Sequence, residues 1–338
     1  MMPESRQQVI VGIIYNQTLD SVLISKRPYS KPQGGMWEFP GGKPLPDESE
    51  FKTLSREIEE ETGLKVVNAH KIQVINHDYV DLKTTLNIWI VDRWTGEYAS
   101  REGQIIKWCN VDDLINYHFP EANKNLLKIL KLPILYLITP DLKHYNENYF
   151  YTINRYLENG LKLIQFRCPS LPIHERMAVA GRLKKLCNQF NCLMIYNGSQ
   201  NEAEAVGADG VHLSSKNLMN YHPQKTAENF YLAASCHNTY ELSQAKKCNL
   251  DFCVIGPVHN TTSHEHTIPL GWENISNLTK GVPFPVYALG GIKHSDTIKA
   301  LNSGCYGISM ISGIWDSDIG IEIIKKYGGR PSHMPNFS

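Results

Sequence analysis

Residues 42–64 run GKPLPDESEFKTLSREIEEETGL, and their reading decides the first fold. Phe51, Leu54 and Ile58 recur at helical spacing and Gly63 stops the pattern, which predicts one helix after a Gly/Pro-punctuated loop that begins PQGGMWEFP. At about 100° per residue Glu57, Glu60 and Glu61 share one arc of that helix, and the apolar residues fill the neighbouring arc. One stripe packs while the other ionises. Three clustered carboxylates repel one another unless a cation sits among them, an arrangement suited to hard, oxygen-seeking Mg²⁺, or Mn²⁺ in its place, with a phosphate as co-ligand. Arg56 lies beside the acidic arc and can hold a glutamate by paired hydrogen bonds. Glu48, near the helix start, either adds a ligand or braces the loop. The competing reading is a solvated acidic helix face.

Working outward, 338 residues exceed one ordinary core and predict two domains, 1–131 and 132–338. Around the helix the chain is strand-rich. QVIVGIIY (8–15) and SVLISK (21–26) read as a hairpin, with further strands near 70–76, 84–94 and IIKWCN, and EANKNLLKILK as a closing helix. From residue 134 the rhythm changes to eight apolar runs, ILYLIT, LKLIQFR, CLMIYN, GVHLS, YLAAS, FCVIGPV, PVYALGG and GCYGISMIS, spaced mostly by segments that can hold a helix. That alternation predicts a parallel (β/α)8 barrel at the lower end of its size range.

With 34 basic and 34 acidic residues the net charge is zero, which argues against a nucleic-acid partner and favours small-molecule ligands. The start MMPESRQQVIVGII has one basic residue before an apolar run too short to span a bilayer, so the expectation is a cytoplasmic protein with no membrane contact. Eight scattered cysteines without a C-x-x-C pair predict buried reduced thiols.

The text G-x5-E-x7-R-E-I-E-E-E-T-G-L matches the Nudix box at every fixed position, from Gly42 through Glu48 and Arg56 to Gly63. VGIIYN, ISKRP, WEFPGGK, VDRWTGE, REGQ and FPEAN follow the order seen in MutT-like 8-oxo-dGTP diphosphatases, so residues 8–131 resemble that branch. The resemblance implies an α/β/α sandwich with a mixed sheet, and attack of water on an internal phosphorus of a nucleoside triphosphate to give the monophosphate and pyrophosphate. It implies metal ligation by Glu57, Glu60 and Glu61 with the Gly42 carbonyl, and a ligand or base role for Glu102. Asn123 would read the oxidised guanine, and Arg27, Phe39 and Tyr79 would line the nucleotide pocket. Residue by residue, Asn123 also suits a helix cap, Phe39 a core position and Arg27 the surface.

The second half is similar to the thiamine monophosphate synthase and TenI family over about residues 132–328, carried by LYLIT, LIQFR, AVGADGVHL, SCHN, VIGPV, ALGGI and GISMIS. This likeness implies a phosphate held on backbone N–H groups at Gly290, Gly291, Ile311 and Ser312, although a glycine pair also suits a tight turn. The synthase's acids and lysine are missing. Its Asn-Asp pair is Asn197-Gly198 here, its acid after V-H-L is Asn217, its lysine is Pro169, and its threonine-rich loop is N-T-T-S-H from Asn260 to His264. Condensation with loss of pyrophosphate is therefore not expected, since no carboxylates remain to hold Mg²⁺. TenI-like tautomerases place an acid/base histidine where this chain has His237; a structural histidine at a strand end fits equally.

Three readings of the barrel stay open: a ligand-binding or vestigial appendage, with a phosphorylated thiazole or pyrimidine as the ligand, a second enzyme acting on a thiazole phosphate or another thiamine-related metabolite, or a non-catalytic sensor that binds a phosphorylated metabolite and regulates the hydrolase or recruits it to a partner. The sequence leaves oligomeric state open.

Overall fold

The computed structural model of the chain describes residues 6–18, 20–30, 33–78, 83–141, 145–224, 227, 229–260, 268–315 and 318–329. Two compact units, Met1–Lys131 and Leu132–Ser338, make up the chain.

In the first unit, β1 (Gln7–Ile14), β4 (Gly41–Gly42), β5 (Lys65–Asp78) and β6 (Lys83–Thr95) form a mixed four-stranded sheet in the order β4-β1-β6-β5. Strands β2 (Ser21–Lys26), β3 (Trp37–Glu38) and β7 (Ile106–Asn110) form a second, antiparallel sheet in the order β3-β2-β7. The expected mixed sheet is present, with a second sheet beside it, and one expectation is corrected: the loop around WEFPGG contributes two short strands. The predicted β1–β2 hairpin is also corrected. Among the described residues those segments are joined by an isolated Tyr15–Val22 bridge and not by a strand ladder, because β1, buried along its C-terminal half, pairs in parallel with β6. Sequence-adjacent strands thus enter different sheets.

Helix α1 (Glu50–Thr62) is capped at its start by Ser49, whose side chain accepts from the Lys52 N–H, and at its end by Gly63 in the left-handed region (φ 75°). Leu54 and Ile58 are fully buried against Ile10, Ile14 and Val91 of the sheet. Gly12 lies under the two side chains, where a Cβ would meet both. Phe51, expected in the packed stripe, is 41% exposed and only meets the edge of Trp89; Thr53 and Thr62 are buried instead. A 3-10 turn (Val111–Asn116) and α2 (Glu121–Ile129) close the unit.

The second unit alternates strand and helix throughout: β8 (Leu135–Ile138), α3 (Glu147–Glu158), β9 (Leu163–Phe166), α4 (Ile173–Gln189), β10 (Leu193–Asn197), α5 (Gln200–Ala205), β11 (Gly210–Leu213) and α6 (Ser215–Met219). It continues with β12 (Tyr231–Cys236), α7 (Thr239–Lys247), β13 (Phe252–Ile255), α8 (Gly271–Thr279), β14 (Val286–Ala288), α9 (Thr297–Asn302), β15 (Gly307–Met310) and α10 (Asp318–Tyr327). The eight strands close into a parallel barrel, with β8 pairing both β9 and β15. Outward residues such as Leu137, Ile164 and Val211 join the helices in one apolar cluster. The interior is filled by Tyr136, Phe252 and Tyr287, whose rings meet edge-on or tilted. Tyr287 and Tyr306 send their hydroxyls to the carbonyls of Pro133 and Leu132, so these phenols are buried without an orphaned O–H. All eight cysteines are free and buried, and burial pushes the Cys305 thiol up to about 12. Among the described residues no helix is long and apolar enough to cross a membrane.

Candidate functional site

Arg56 organises the first site. Its Nε and Nη2 donate to the two oxygens of Glu48 at 2.9 and 2.8 Å, while Nη1 donates to Glu57 (2.8 Å) and Glu60 (3.0 Å). Nη2 also reaches the Lys43 carbonyl, tying the loop to the helix. Glu48 accepts further from the Leu45 N–H and the Thr53 hydroxyl, and these bonds, led by the Arg56 guanidinium, hold its carboxyl down to about 2. Of the two roles open to Glu48, this geometry is that of a brace. A Cβ at Gly42 would meet the Glu57 carboxylate, which would have to move aside.

Glu61 faces the other way along the arc. Its carboxylate accepts from the Gly41 N–H at 3.2 Å. Burial, and then the charges of Glu38, Glu57 and Glu102, push its pKa up to about 8 against that bond. Glu102 is exposed, but its loop is anchored to the end of α1: the Arg101 N–H and the Gln104 amide both donate to the Glu61 carbonyl, and the Ala99 N–H donates to Thr62. The turn thus brings Glu102 to bear on the helix across 41 residues of sequence, from 61 to 102.

These residues fit a hard divalent cation. The donors are carboxylate oxygens and a strand carbonyl, a Cβ-less cradle faces Glu57, and Glu61 carries a burial penalty that a neighbouring cation would relieve. Among the described residues, no group of three or more His, Cys, Asp or Glu side chains already converges as a ready cage. Arg56 holds Glu57 and Glu60 in the meantime.

Beside the carboxylates, Arg27 donates through Nη1 to Glu38 at 2.6 Å, and its buried Nε–H has no partner among the described residues. Phe39 is buried and stacks on Phe119 with centroids 5.3 Å apart. Asn123 is buried near the start of α2, whose N-cap is Pro120 with no side-chain capping bond, so Asn123 is not the cap. Tyr79 lies outside the described residues. Glu38 escaped the sequence reading, because a single acid inside WEFPGG has no spacing partner.

At the C-terminal ends of the barrel strands, Gly290 (φ 100°) and Gly291 (φ 66°) follow β14, and Ile311 and Ser312 follow β15 as a turn just beyond the strand. The glycine pair is pressed on the segment after β13: the His259 N–H donates to the Gly290 carbonyl, and a Cβ on either glycine would meet Pro257 or His259. Tight packing and phosphate approach both call for glycine there. His237, after β12, contacts the Gly256 carbonyl through Nδ1 at 2.5 Å, and its N–H donates to Glu241. The carbonyl can only accept, so Nδ1 carries a proton.

Of the substituted positions, Gly198 is packed against other side chains. A Cβ at Gly198 would overlap the Tyr196 ring and Glu202, which Arg176 ties together by bonds of 2.9 and 2.6 Å. Asn217 sits exposed in α6, and Pro169 is exposed after Arg167. Of the Asn260–His264 loop, 261–264 lie outside the described residues.

Comparison with known proteins agrees with both units. The family model for thiamine monophosphate synthase matches residues 135–314, and that for the NUDIX domain matches residues 10–129. A protein of Aquifex aeolicus (strain VF5), with the provisional name thiamine-phosphate synthase 2, is 33% identical over 183 residues, 54% of this chain and 98% of its own. The thiamine-phosphate synthase of Prochlorococcus marinus (strain AS9601) is 32% identical over 196 residues, 56% of this chain; the chain spans 54% of that relative's length. A solved MutT structure, from work on the Aliivibrio salmonicida and Vibrio cholerae proteins, is 39% identical over 37% of this chain and 95% of its own, with a TM-score of 0.33. The chain therefore belongs to the thiamine monophosphate synthase family through its C-terminal unit, and its N-terminal unit matches the model of the NUDIX domain.

Proposed function

We propose that the N-terminal unit hydrolyses 8-oxo-dGTP and related nucleoside triphosphates to the monophosphate and pyrophosphate, removing oxidised guanine from the nucleotide pool. The observation that carries this reading is the Arg56-centred network, which fixes Glu48, Glu57 and Glu60 on one side of α1 and leaves Glu61 and Glu102 facing each other at its end. Glu57, Glu60, Glu61 and Glu102, with the Gly42 carbonyl, would hold Mg²⁺ or Mn²⁺. The bound cation would neutralise phosphate charge and ease loss of pyrophosphate. Glu57 or Glu102 takes the proton from water as its oxygen bonds to an internal phosphorus; the phosphoanhydride P–O bond breaks and pyrophosphate departs. Arg56 positions the glutamates. Arg27 turns its unused N–H groups to the nucleotide, Phe39 and Phe119 wall the pocket, and Asn123 supplies the hydrogen bonds that distinguish the oxidised base. Turnover of 8-oxo-dGTP and dGTP with Mg²⁺ tests the proposal: a clear preference for the oxidised nucleotide and release of pyrophosphate are expected, and equal turnover or release of orthophosphate alone would refute it.

For the barrel we propose binding of a small phosphorylated ring compound, a thiazole or pyrimidine, on the backbone of Gly290 and Gly291 with Ile311 and Ser312, without synthesis of thiamine monophosphate. The loss of acids at Gly198 and Asn217 supports the second half. One observation favours a further reading, tautomerisation of a thiazole phosphate: the Gly256 carbonyl holds the His237 ring by Nδ1 just after β12. Calorimetric titration with the thiazole phosphate, and a search for thiamine monophosphate after adding the pyrimidine diphosphate and Mg²⁺, test both. Binding without product is expected, and robust product formation would overturn the reading.

A further inference from the structure

Gln104, between Glu102 and β7, is 8% exposed, and its amide is only half used. Nε2 donates to the Glu61 carbonyl at 3.3 Å, while Oε1 is buried with no hydrogen-bond partner among the described residues. A carbonyl only accepts, so turning the amide over would set two oxygens against each other. The nitrogen is held at the end of α1 and the oxygen is left over.

The fold itself does not call for an amide at this position. The Glu61 carbonyl already has a donor in the Arg101 N–H. The turn around Glu102 is tied on one side by the Ala99 N–H to the Thr62 carbonyl (2.8 Å) and on the other by the Lys26 N–H to the Ile105 carbonyl (2.7 Å). With backbone anchors on both sides, an apolar side chain of similar size would fill the space without burying an unpaired acceptor, which is destabilising. The oxygen is accounted for once a ligand brings a donor. Gln104 is bonded to Glu61 and lies two residues from Glu102, both proposed ligands of the cation. A small hard divalent ion held by carboxylates keeps part of its water shell, and water polarised by such an ion is a strong donor.

We infer that Gln104 is a positioning residue of the Nudix site, whose side-chain oxygen accepts a hydrogen bond from a water of the bound cation's hydration shell. The inference rests on the cation-site reading and adds to it a contact outside the carboxylates, one that strengthens cation binding without adding charge. The empty site carries the unpaired oxygen and the loaded site satisfies it. Replacing the amide therefore weakens the loaded state without weakening the empty one.

Mn²⁺ binding to the full chain without nucleotide, followed by the EPR signal of the free ion, tests the inference together with the thermal transition of the N-terminal unit in EDTA. In Gln104→Leu the Mn²⁺ affinity is expected to fall about tenfold or more. The metal-free transition is expected to stay within about 4 °C of native. An unchanged Mn²⁺ affinity, or a metal-free transition lowered by more than about 4 °C, would make Gln104 a structural tie and overturn the inference. If the leucine variant does not fold, the native chain decides: with ¹³C-labelled glutamine side chains, the Gln104 carbonyl resonance is expected to move downfield on adding Mg²⁺, and a resonance that stays in place overturns the inference. Absence of Mn²⁺ binding by the native chain would refute the cation-site reading and the inference together, whereas equal binding by native and variant chains refutes the inference alone.

Discussion

The two sites differ in what has been kept. In the Nudix unit the acids at 48, 57, 60, 61 and 102 are present and one arginine wires three of them together. At the barrel mouth the acidic positions are glycine and asparagine, and the nearby ion pair, Arg176 with Glu202, is turned inward onto Tyr196. In the proposed roles the first site meets a phosphate through a cation held by its carboxylates, and the barrel mouth meets one on backbone N–H groups. On the proposed functions, phosphoryl transfer belongs to one unit and ligand recognition to the other.

The largest effect that would break this contrast is at Glu57. Glu57→Gln is expected to lower kcat for 8-oxo-dGTP roughly a thousandfold, equivalent to about 4 kcal/mol, with the thermal transition of the unit little changed. The side chain lies in the acidic arc and touches Arg56, so the packed stripe of Leu54 and Ile58 is left intact. Activity within tenfold of the native chain would remove Glu57 from the catalytic set. A smaller effect is expected from Asn123→Ala: the ratio of kcat/KM for 8-oxo-dGTP over dGTP drops about tenfold or more while turnover of dGTP changes little. A retained ratio would assign Asn123 to packing alone.

How much of this was legible in sequence follows from the range of the interactions. Helix α1 and its acidic arc were readable because cap, stripe and stop are local. The barrel was readable because its strand–helix alternation repeats. The hairpin expected of β1 and β2 does not form because the partner that β1 takes, β6, lies 77 residues away, as in Ile10 with Asn87. Glu38 was missed because its relation to Arg27 and Glu61 exists only after two sheets have formed. His212 offered no signal at all: GVHL reads as a buried strand, and nothing local says that a tyrosine from β8 and a serine from β12 close on its two nitrogens.

That histidine provides a third way to sharpen the contrast, through pH. Its folded pKa is about 3 against 6.5 as a free side chain, so the unfolded chain takes up a proton that the folded barrel excludes. The corresponding stability is fully present above about pH 6.5 and is lost progressively as pH falls towards 3, by about 2 kcal/mol between pH 7 and 5. In urea unfolding of His212→Gln the pH dependence over that interval is expected to be shallower than native by this amount. Equal slopes would mean that the folded barrel accepts the proton.

The smallest effect tests whether the barrel mouth is closed to its family's chemistry or merely lacks an acid. Gly198 is half-buried between the Tyr196 ring and the Glu202 carboxylate, and a Cβ there would meet both. These are side-chain atoms, which move more cheaply than backbone, but each is tethered: Tyr196 by its bond from Arg176, and Glu202 by Arg176 and by the Ser199 cap. Gly198→Ala is therefore expected to destabilise the barrel by about 1 kcal/mol, the low end for forcing a methyl group into a packed site. Gly198→Asp is expected to destabilise at least as much and still to yield no thiamine monophosphate, because the new carboxylate would have to displace an existing ion pair before it could hold a cation. If instead the alanine variant is as stable as the native chain and the aspartate variant gains synthase activity, the contrast between the two sites reduces to one missing side chain.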